Sequence, residues 1–231
     1  MAAGARRVEP EWLDELPSDD PRAVHSRRDL RRVNALMDNA GIVAAGMRES
    51  PARAVTHVAE IGAGDGVFAL RLVKALAGPP AGATFTLLDR QAIVTRETRE
   101  ALAARGWEAR VVQADVFAWL REPSTPDFDA IVANLFLHHF APRALGELLA
   151  LVSRKTRCFI ACEPHRSGFA LMGSRLLGLV GCNDVTRHDA VVSVRAGFRD
   201  RELGAHWPRE GWTLDEGARG LFSHGFVARR T

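Results

Sequence analysis

A glycine-rich segment between a strand pattern and a helix pattern constrains this chain more than any other feature. The segment reads Glu60-Ile61-Gly62-Ala63-Gly64-Asp65-Gly66. It ends the apolar run Val55–Ile61, and a helical pattern begins at Val67. Glycines let the backbone turn tightly and approach a ligand closely. Because ligands of open parallel sheets bind beyond the carboxyl ends of the strands, the segment predicts a ligand site on an α/β fold.

Strand and helix patterns alternate through the middle of the chain. Apolar runs of strand length are separated by stretches of helix length, which predicts βαβ units and a parallel sheet. Nearly continuous apolar strands are typical of a sheet buried on both faces. The predicted strands are Val55–Ile61, Thr84–Leu88, Glu108–Val112, Phe128–Ala133 and Arg157–Ala161, and the predicted helices are about Val67–Leu76, Ile93–Ala104 and Pro142–Val152.

The two ends of the chain depart from this alternation. Residues 1 to about 20 are rich in proline and acidic residues and predict an extended lead-in. A helical pattern follows from Pro21, with Ser26 or Asp29 as its candidate N-cap. The final predicted elements are the strands Trp212–Glu216 and Phe222–Ala228.

These patterns predict an α/β fold with a Rossmann-like, mostly parallel sheet and helices on both faces. The N-terminal helical cover is expected over residues 1–50. Residues 51–231 are expected to form a single globular unit with this cover and to end in a C-terminal antiparallel hairpin. No internal repeat is visible that would suggest a different architecture.

Composition bounds the class of protein. The chain has 231 residues, 47% hydrophobic and 26% charged, which is ordinary for a globular domain. No apolar stretch approaches the ~20 residues that span a bilayer, and the early acidic residues do not resemble a signal peptide. Three cysteines suit a reducing cytoplasm. They show no zinc-type spacing, so no metal site is predicted.

The spacing and charge of the glycine segment distinguish between cofactors. A dinucleotide fingerprint would place a third glycine at the position of Val67. Two carboxyl groups, on Glu60 and Asp65, would repel a pyrophosphate. They suit a ligand that carries an ammonium and a sulfonium, because opposite charges attract in a partly desolvated cleft.

Further acidic residues fall at the ends of the next two strands. Asp89 ends the second strand, where a carboxylate can accept hydrogen bonds from both hydroxyls of a ribose. Asp115 follows the third strand, where it can accept from an adenine amino group while Val116 and Phe117 pack on the ring.

The segments Glu60–Gly66, Asp89, Asp115 and Phe128–Asn134 resemble the successive motifs of class I S-adenosylmethionine-dependent methyltransferases. The resemblance covers roughly residues 55–163. It implies S-adenosylmethionine as cofactor. The residues expected to bind it are Glu60, Gly62, Ala63, Gly64, Asp65, Asp89, Arg90, Asp115, Val116, Asn134 and Leu135.

The run after the fourth strand, Asn134 to Phe140, is expected to face the methyl group. Leu135 and Phe136 stand where methyltransferases of DNA bases or glutamine have prolines, which counts against N-methylation of that kind. The Leu-His-His-Phe run is similar to that of small-molecule methyltransferases. His138 and His139 are therefore candidate general bases, although two consecutive side chains are not expected to face one site.

Residues near the fifth strand are candidates for the acceptor pocket. Glu163 and His165 follow that strand, and Arg195 lies in a later segment. The polar stretch 183–189 is expected to form a loop or lid over the acceptor.

The sequence predicts methylation of a small lipophilic acceptor, on an oxygen of a phenolic or polyketide-like compound. C-methylation of a quinone-type ring, RNA methylation and a non-catalytic cofactor-binding subunit are the alternatives. The arginines of the cover and a pI near 9.1 motivate RNA binding, although a solvated helix face explains them as well. Nucleic acid is therefore not the favoured partner, and the sequence indicates no oligomeric state.

Overall fold

The computed structural model describes residues 4–17, 19–49, 55–76 and 78–231, and a seven-stranded sheet forms its centre. The strands are β1 (His57–Ile61), β2 (Thr84–Asp89), β3 (Glu108–Gln113), β4 (Phe128–Asn134), β5 (Thr156–Pro164), β6 (Trp212–Arg219) and β7 (Ser223–Arg230). Their order across the sheet is β3-β2-β1-β4-β5-β7-β6.

The first five strands are parallel, as the sequence predicts. β1 pairs in parallel with β2 on one side and β4 on the other, so the strand order reverses between β1 and β4. β7 is antiparallel to both β5 and β6. The carboxyl ends of β1 and β4 therefore meet at the point where open α/β sheets bind their ligands.

Helices cover both faces of this sheet. Leu145, Leu148 and Leu149 of one helix pack on one face, and Val43 and Leu72 of two others pack on the opposite face. The helices are α1 (Trp12–Glu15), α2 (Pro21–Leu36), α3 (Asn39–Arg48), α4 (Val67–Ala75), α5 (Arg96–Ala103), α6 (Val116–Arg121), α7 (Pro142–Lys155), α8 (Gly168–Leu176) and α9 (Asp184–Ala196), with 3-10 turns at Leu137–His139 and Leu177–Val180.

The N-terminal cover begins differently from the prediction. The N-cap of α2 is Asp20, whose carboxylate accepts from the Arg22 N–H at 2.7 Å, and Pro21 occupies the first helical position. Ser26 and Asp29, the predicted caps, are buried inside the helix. The next helix of the cover, α3, follows Asp38, and the backbone of Asp38 itself adopts the left-handed conformation.

Residues 6–15, which we call the strap, were predicted to be an extended lead-in but contain α1. The N–H groups of Trp12 and Leu13 donate to the Asp189 carboxylate at 2.9 and 3.0 Å. The Trp12 indole stacks on the His188 ring at 3.9 Å. Both partners lie far along the chain, so the local sequence does not signal this helix.

Other differences concern the later half of the chain. The polar stretch 183–189 was predicted to be a loop, but it starts α9, because the Asn183 side chain caps the Thr186 N–H. Helix α6 was not predicted. Among the described residues no helix is long and apolar enough to cross a membrane. The predicted domain boundary, between residues 50 and 51, lies outside the described residues.

Candidate active site

A cavity of about 1290 Å³ opens beyond the carboxyl ends of β1, β2 and β4, under the cover. Every residue predicted to bind the cofactor lines it, and so do His138 and His139. The fold thus gathers chemistry-bearing side chains from separate strand ends into one space. The predicted cofactor-binding residues that line the cavity are Glu60, Gly62, Ala63, Gly64, Asp65, Asp89, Arg90, Asp115, Val116, Asn134 and Leu135.

The glycine segment lines the cavity in a conformation that favours glycine. Gly62, Gly64 and Gly66 have φ values of 73°, 53° and 75°, a region that other residues rarely adopt. A Cβ on Gly62 would also overlap the ring of Phe136. The segment therefore brings bare backbone against the ligand space and the turn after β4.

Glu60 is the buried acid of the segment. It is 1% exposed, and its Oε2 has no hydrogen-bond partner among the described residues. Burial, together with the charges of Asp65 and Asp89, raises the pKa of Glu60 well above its usual value. A buried acceptor without a partner is costly, so this oxygen fits a donor group on a ligand.

The strand-end carboxylates are oriented by backbone N–H groups. Asp89 accepts from the N–H of Gly64 and of Gln91, both at 2.8 Å. Asp115 caps α6 by accepting from the N–H of Phe117 at 2.9 Å. These bonds fix the direction of each carboxylate while leaving acceptor capacity toward the cavity.

Asp65 has a different environment from the one that its predicted role implies. Its Oδ2 accepts from the Arg31 guanidinium at 2.6 Å, and its Oδ1 accepts from the Val67 N–H at 3.0 Å. Asp65 lines the cavity, but its charge is paired with the cover. Its contact therefore links α2 to the glycine segment.

The turn after β4 is held in a strained conformation. Leu135 has φ 52°, which is uncommon for a residue other than glycine and costs of order 1–3 kcal/mol. The Asn134 carboxamide accepts from Asn39 at 2.9 Å, which ties the turn to α3. Strain of this kind persists where the surroundings impose it, and it places the Phe136 ring against Gly62.

Glu163 is the group that imposes this turn. Its Oε1 accepts from the N–H of Phe136 and Leu137 at 3.0 and 2.8 Å, and its Oε2 lies 2.8 Å from His138 Nδ1. Glu163 is fully buried and is not among the residues that line the cavity. The prediction that it borders the acceptor is corrected: it organises the residues that do.

His138 lies between two carboxylates. Its Nδ1 faces Glu163, and its Nε2 lies 3.3 Å from Glu11 Oε1 on the strap. Burial works against the charged ring, but the hydrogen bonds that the ring donates to Glu11 and Glu163 outweigh burial and raise the pKa of His138 to about 9. His138 is therefore protonated at neutral pH, which removes it as a general base in this arrangement.

His139 has the opposite tendency. Burial and the neighbouring charge of His138 lower its pKa, so the ring is neutral at pH 7. Its Nδ1 lies 3.4 Å from Asp14 Oδ2, and its ring centroid is 4.3 Å from that of His138. Both rings line the cavity, so the expectation that consecutive histidines would not share one site is wrong.

Glu11, His138 and His139 are also the described group that comes nearest to a metal site. Their ligand atoms lie within 4.8 Å of one another. Both ring nitrogens of His138 already face carboxylates, and Glu11 also accepts from the Ser193 hydroxyl. A proton on His138 accounts for this arrangement as a charge-compensated cluster.

Two predicted pocket residues lie elsewhere. His165 forms an isolated bridge with Phe198, and Arg195 receives the Arg7 N–H at its carbonyl. Neither is among the residues that line the cavity. The residues that sequence reasoning missed are Glu11 and Asp14, because a short acidic N-terminal stretch carries no signal for contact with a turn more than 120 residues away.

The chain resembles known methyltransferases in part of its sequence and in its fold. A family model described as a methyltransferase domain matches residues 58–157, which span β1 to the start of β5. No curated protein sequence matches the chain.

Solved structures share the fold at low sequence identity. The plantazolicin methyltransferase BpumL, solved with S-adenosylhomocysteine, has a TM-score of 0.65 at 12% identity, covering 92% of each chain. The mitomycin 7-O-methyltransferase MmcR has a TM-score of 0.60 at 19% identity, covering 95% of this chain and 60% of that one. An O-methyltransferase family protein from Burkholderia thailandensis has a TM-score of 0.62 at 15% identity, covering 93% and 61%. These likenesses show the fold.

Proposed function

We propose that this protein transfers a methyl group from S-adenosylmethionine to an oxygen of a small phenolic or polyketide-like acceptor, and the match of residues 58–157 to a methyltransferase-domain model supports this. One observation carries the proposal: the glycine segment, the strand-end carboxyl groups and His139 share one cavity of about 1290 Å³. Pockets for single ligands measure roughly 300–1,000 Å³, so this one has room for cofactor and acceptor together.

The cavity residues fit S-adenosylmethionine. The unpartnered oxygen of Glu60 suits an ammonium donor, since a charged donor makes the stronger class of hydrogen bond. Asp89 is oriented to accept from ribose hydroxyls, and Asp115 and Val116 border the place for an adenine. At Val67 the chain lacks the third glycine of a dinucleotide site. Two structural neighbours were solved with S-adenosylhomocysteine.

When bound, the cofactor supplies a methyl group on a positively charged sulfur. The chain then has to align the acceptor oxygen with that methyl group and exclude water. Phe136 and Phe140 pack edge-to-face at 5.1 Å beside this place and provide an apolar wall. Glu163 holds the turn that carries them.

His139 is the group that accepts the acceptor's proton. It is neutral at pH 7 because burial and the charge of His138 lower its pKa, and it lines the cavity. His138, bound to Glu163 and Glu11, positions the turn. A phenol that loses its proton to His139 becomes the oxygen nucleophile of the transfer.

The acceptor is lipophilic in this proposal. The side chains that line the cavity include the apolar residues Leu36, Leu177 and Val180. Two neighbours are O-methyltransferases by name, which supports oxygen as the methylated atom. Carbon methylation of a quinone-type ring uses the same base and cavity and is the second candidate.

Two arginines of the cover, Arg22 and Arg31, are already engaged within the protein and are not free to bind RNA. Arg31 is paired with Asp65, and Arg22 is paired with Asp184 at 2.7 Å. These side chains attach the cover to the rest of the protein. A phosphate backbone would have to displace those contacts, and a strongly salt-dependent affinity for tRNA is the measurement that would revive this alternative.

Calorimetric titration with S-adenosylmethionine, S-adenosylhomocysteine and NAD tests the cofactor site. We expect saturable binding of the first two ligands and none of NAD. Asp89→Ala should weaken binding by roughly 1.5–3 kcal/mol per lost charged hydrogen bond. Asp127→Ala is the matched control, since Asp127 is exposed beside the opposite end of β4. Equal affinities in the two variants would remove Asp89 from the site.

Turnover with isotopically labelled cofactor on hydroxylated aromatic and polyketide-like acceptors tests the reaction. Mass spectrometry of the product separates an oxygen ether from a carbon-methylated ring. His139→Gln should lower kcat by about 10²–10⁴-fold with cofactor affinity unchanged, and His206→Gln, at an exposed position, should not. Cofactor binding without turnover on any acceptor would favour a non-catalytic subunit.

A further inference from the structure

The mouth of the cavity carries an exposed apolar surface that methyl transfer does not require. On α8 the side chains of Phe169, Met172 and Leu176 are 48%, 53% and 49% exposed, and their spacing puts them on one stripe. Ala170 and Ser174, on the other side of the helix, are buried. The usual orientation of a surface helix, with its apolar stripe toward the core, is therefore reversed.

This stripe continues to the edge of the cavity. Leu179 and Val180, in the turn after α8, are 83% and 71% exposed, and Leu36, at the end of α2, is 87% exposed. Leu36 and Val180 also line the cavity. Large apolar side chains exposed together around the opening of a cavity mark an interaction site. We call it the apolar rim; its members are Leu36, Phe169, Met172, Leu176, Leu179 and Val180.

Positive charge flanks the apolar rim. Arg28 and Arg32 precede Leu36 at intervals of four residues, so the three share a face of α2. Arg175 lies on α8, and Arg187 packs beside Gly178 in the turn between α8 and α9. All four arginines are exposed, and none forms a salt bridge with a residue that the structure describes.

We propose that the apolar rim docks on an anionic lipid bilayer and that a lipophilic acceptor enters the cavity from it. An exposed apolar stripe bordered by arginines is the pattern of helices that lie in a membrane interface. Acidic groups of the same helices do not cancel this charge, because Asp184 is bound by Arg22 and Asp29 is buried. Entry of the acceptor rests on the proposed function, whereas docking does not.

Co-sedimentation with vesicles tests docking without any acceptor or turnover. The vesicles are phosphatidylcholine alone and an equal mixture with phosphatidylglycerol. We expect binding to the anionic vesicles that weakens with salt. Arg28→Ala and Arg175→Ala should each weaken binding to the anionic vesicles about fivefold, the loss expected for one arginine near a charged surface. Binding to the phosphatidylcholine vesicles should change little.

Leu179→Asp tests the apolar contribution, since Leu179 is highly exposed and does not line the cavity. It should weaken vesicle binding at least tenfold and leave cofactor affinity unchanged, which also shows that the variant is folded. Val111→Asp is the matched control, because Val111 is 41% exposed on the distant edge strand β3.

Three outcomes overturn the proposal. The first is that neither vesicle retains the protein at low salt, and the second is that Leu179→Asp and Val111→Asp bind alike. The third is a dimer in sedimentation velocity that Leu179→Asp dissociates, which would assign the apolar rim to a second copy of the chain. Because cofactor binding is measured separately, failure here leaves the proposed methyl transfer standing.

Discussion

Two adjacent histidines in this cavity hold their protons with different strength because their partners differ. His138 lies between the carboxylates of Glu163 and Glu11, which stabilise its charged form. His139 has one exposed acid beside it, Asp14, and faces the charge of His138. Sequence neighbours with the same chemistry therefore take separate roles, one holding the turn and one able to accept a proton.

The pH dependence of kcat/KM distinguishes these two roles. A general base works only when neutral, so its rate falls as pH drops through its pKa. If His139 is the base, its pKa lies below the usual value of about 6.5. We then expect kcat/KM to stay constant as the pH falls from 8 to about 6.5 and to decrease only below that. With His138 as the base, the rate would instead rise until about pH 9.

Gly62 and Gly64 offer a comparison between backbone strain and steric overlap. Both have positive φ, so alanine at either position strains the backbone by roughly 1–2 kcal/mol. Only a Cβ on Gly62 overlaps the Phe136 ring, since nothing lies within 4 Å of the corresponding atom on Gly64. Urea unfolding should therefore show a clearly larger loss of stability for Gly62→Ala, and equal losses would contradict the close approach of Phe136.

The sequence is a good guide to residues whose place depends on a strand end. Glu60, Asp89 and Asp115 reach the cavity because parallel strands end at one edge of the sheet, which periodicity reveals. Glu163 lies near the carboxyl end of β5, as predicted, but its side chain is buried and does not line the cavity. The strap residue Glu11 comes from a distant segment of the chain. Neither placement follows from local pattern, because both depend on which partner is nearby in three dimensions.

At the scale of elements, the strap depends on α9. The Asp189 carboxylate receives the first N–H groups of α1 at 2.9 and 3.0 Å, and a helix of four residues has too few internal bonds to form alone. The element exists because a distant acid caps it. This explains why the lead-in carried no helical signal.

Asp189→Ala should detach the strap. We expect a loss of about 1–2 kcal/mol, as for other helix caps, and new cleavage near Trp12 in limited proteolysis. Asp184→Ala removes an exposed ion pair on the same helix and should cost no more than about 1 kcal/mol. If the two variants resist protease equally, the strap is held by other contacts.

The central elements are predictable and their ends less so. β1, β2 and β4 are largely apolar runs, and the structure confirms each within about two residues. Helix α5 begins three residues later than predicted because Thr95 caps it. The polarity of residues 183–189 predicts a loop, but Asn183 is the N-cap of α9, and Thr186 and Asp189 are buried in that helix. Polarity alone does not separate these cases.

At the scale of the whole molecule, the proposed cofactor site lies where Arg31 and Asp65 join the cover to the glycine segment. S-Adenosylhomocysteine at about 100 times its Kd should add about 2.7 kcal/mol of stability. For a chain of this size that raises Tm by about 5–11 °C. Differential scanning calorimetry should show a much smaller rise in Asp89→Ala, and no rise in the wild type would contradict the cofactor site.

Strand β7 lies between β5 and β6, although it follows both in the chain. As the polypeptide leaves the ribosome, β6 emerges before the strand that must hold it against the sheet. The part of the sheet beyond β5 is therefore completed only when β7 inserts between β5 and β6. Until then β5 has an unpaired edge. An exposed strand edge invites pairing with other chains, so we expect the nascent protein to be most prone to aggregation until residues 223–230 leave the ribosome and pair with β5.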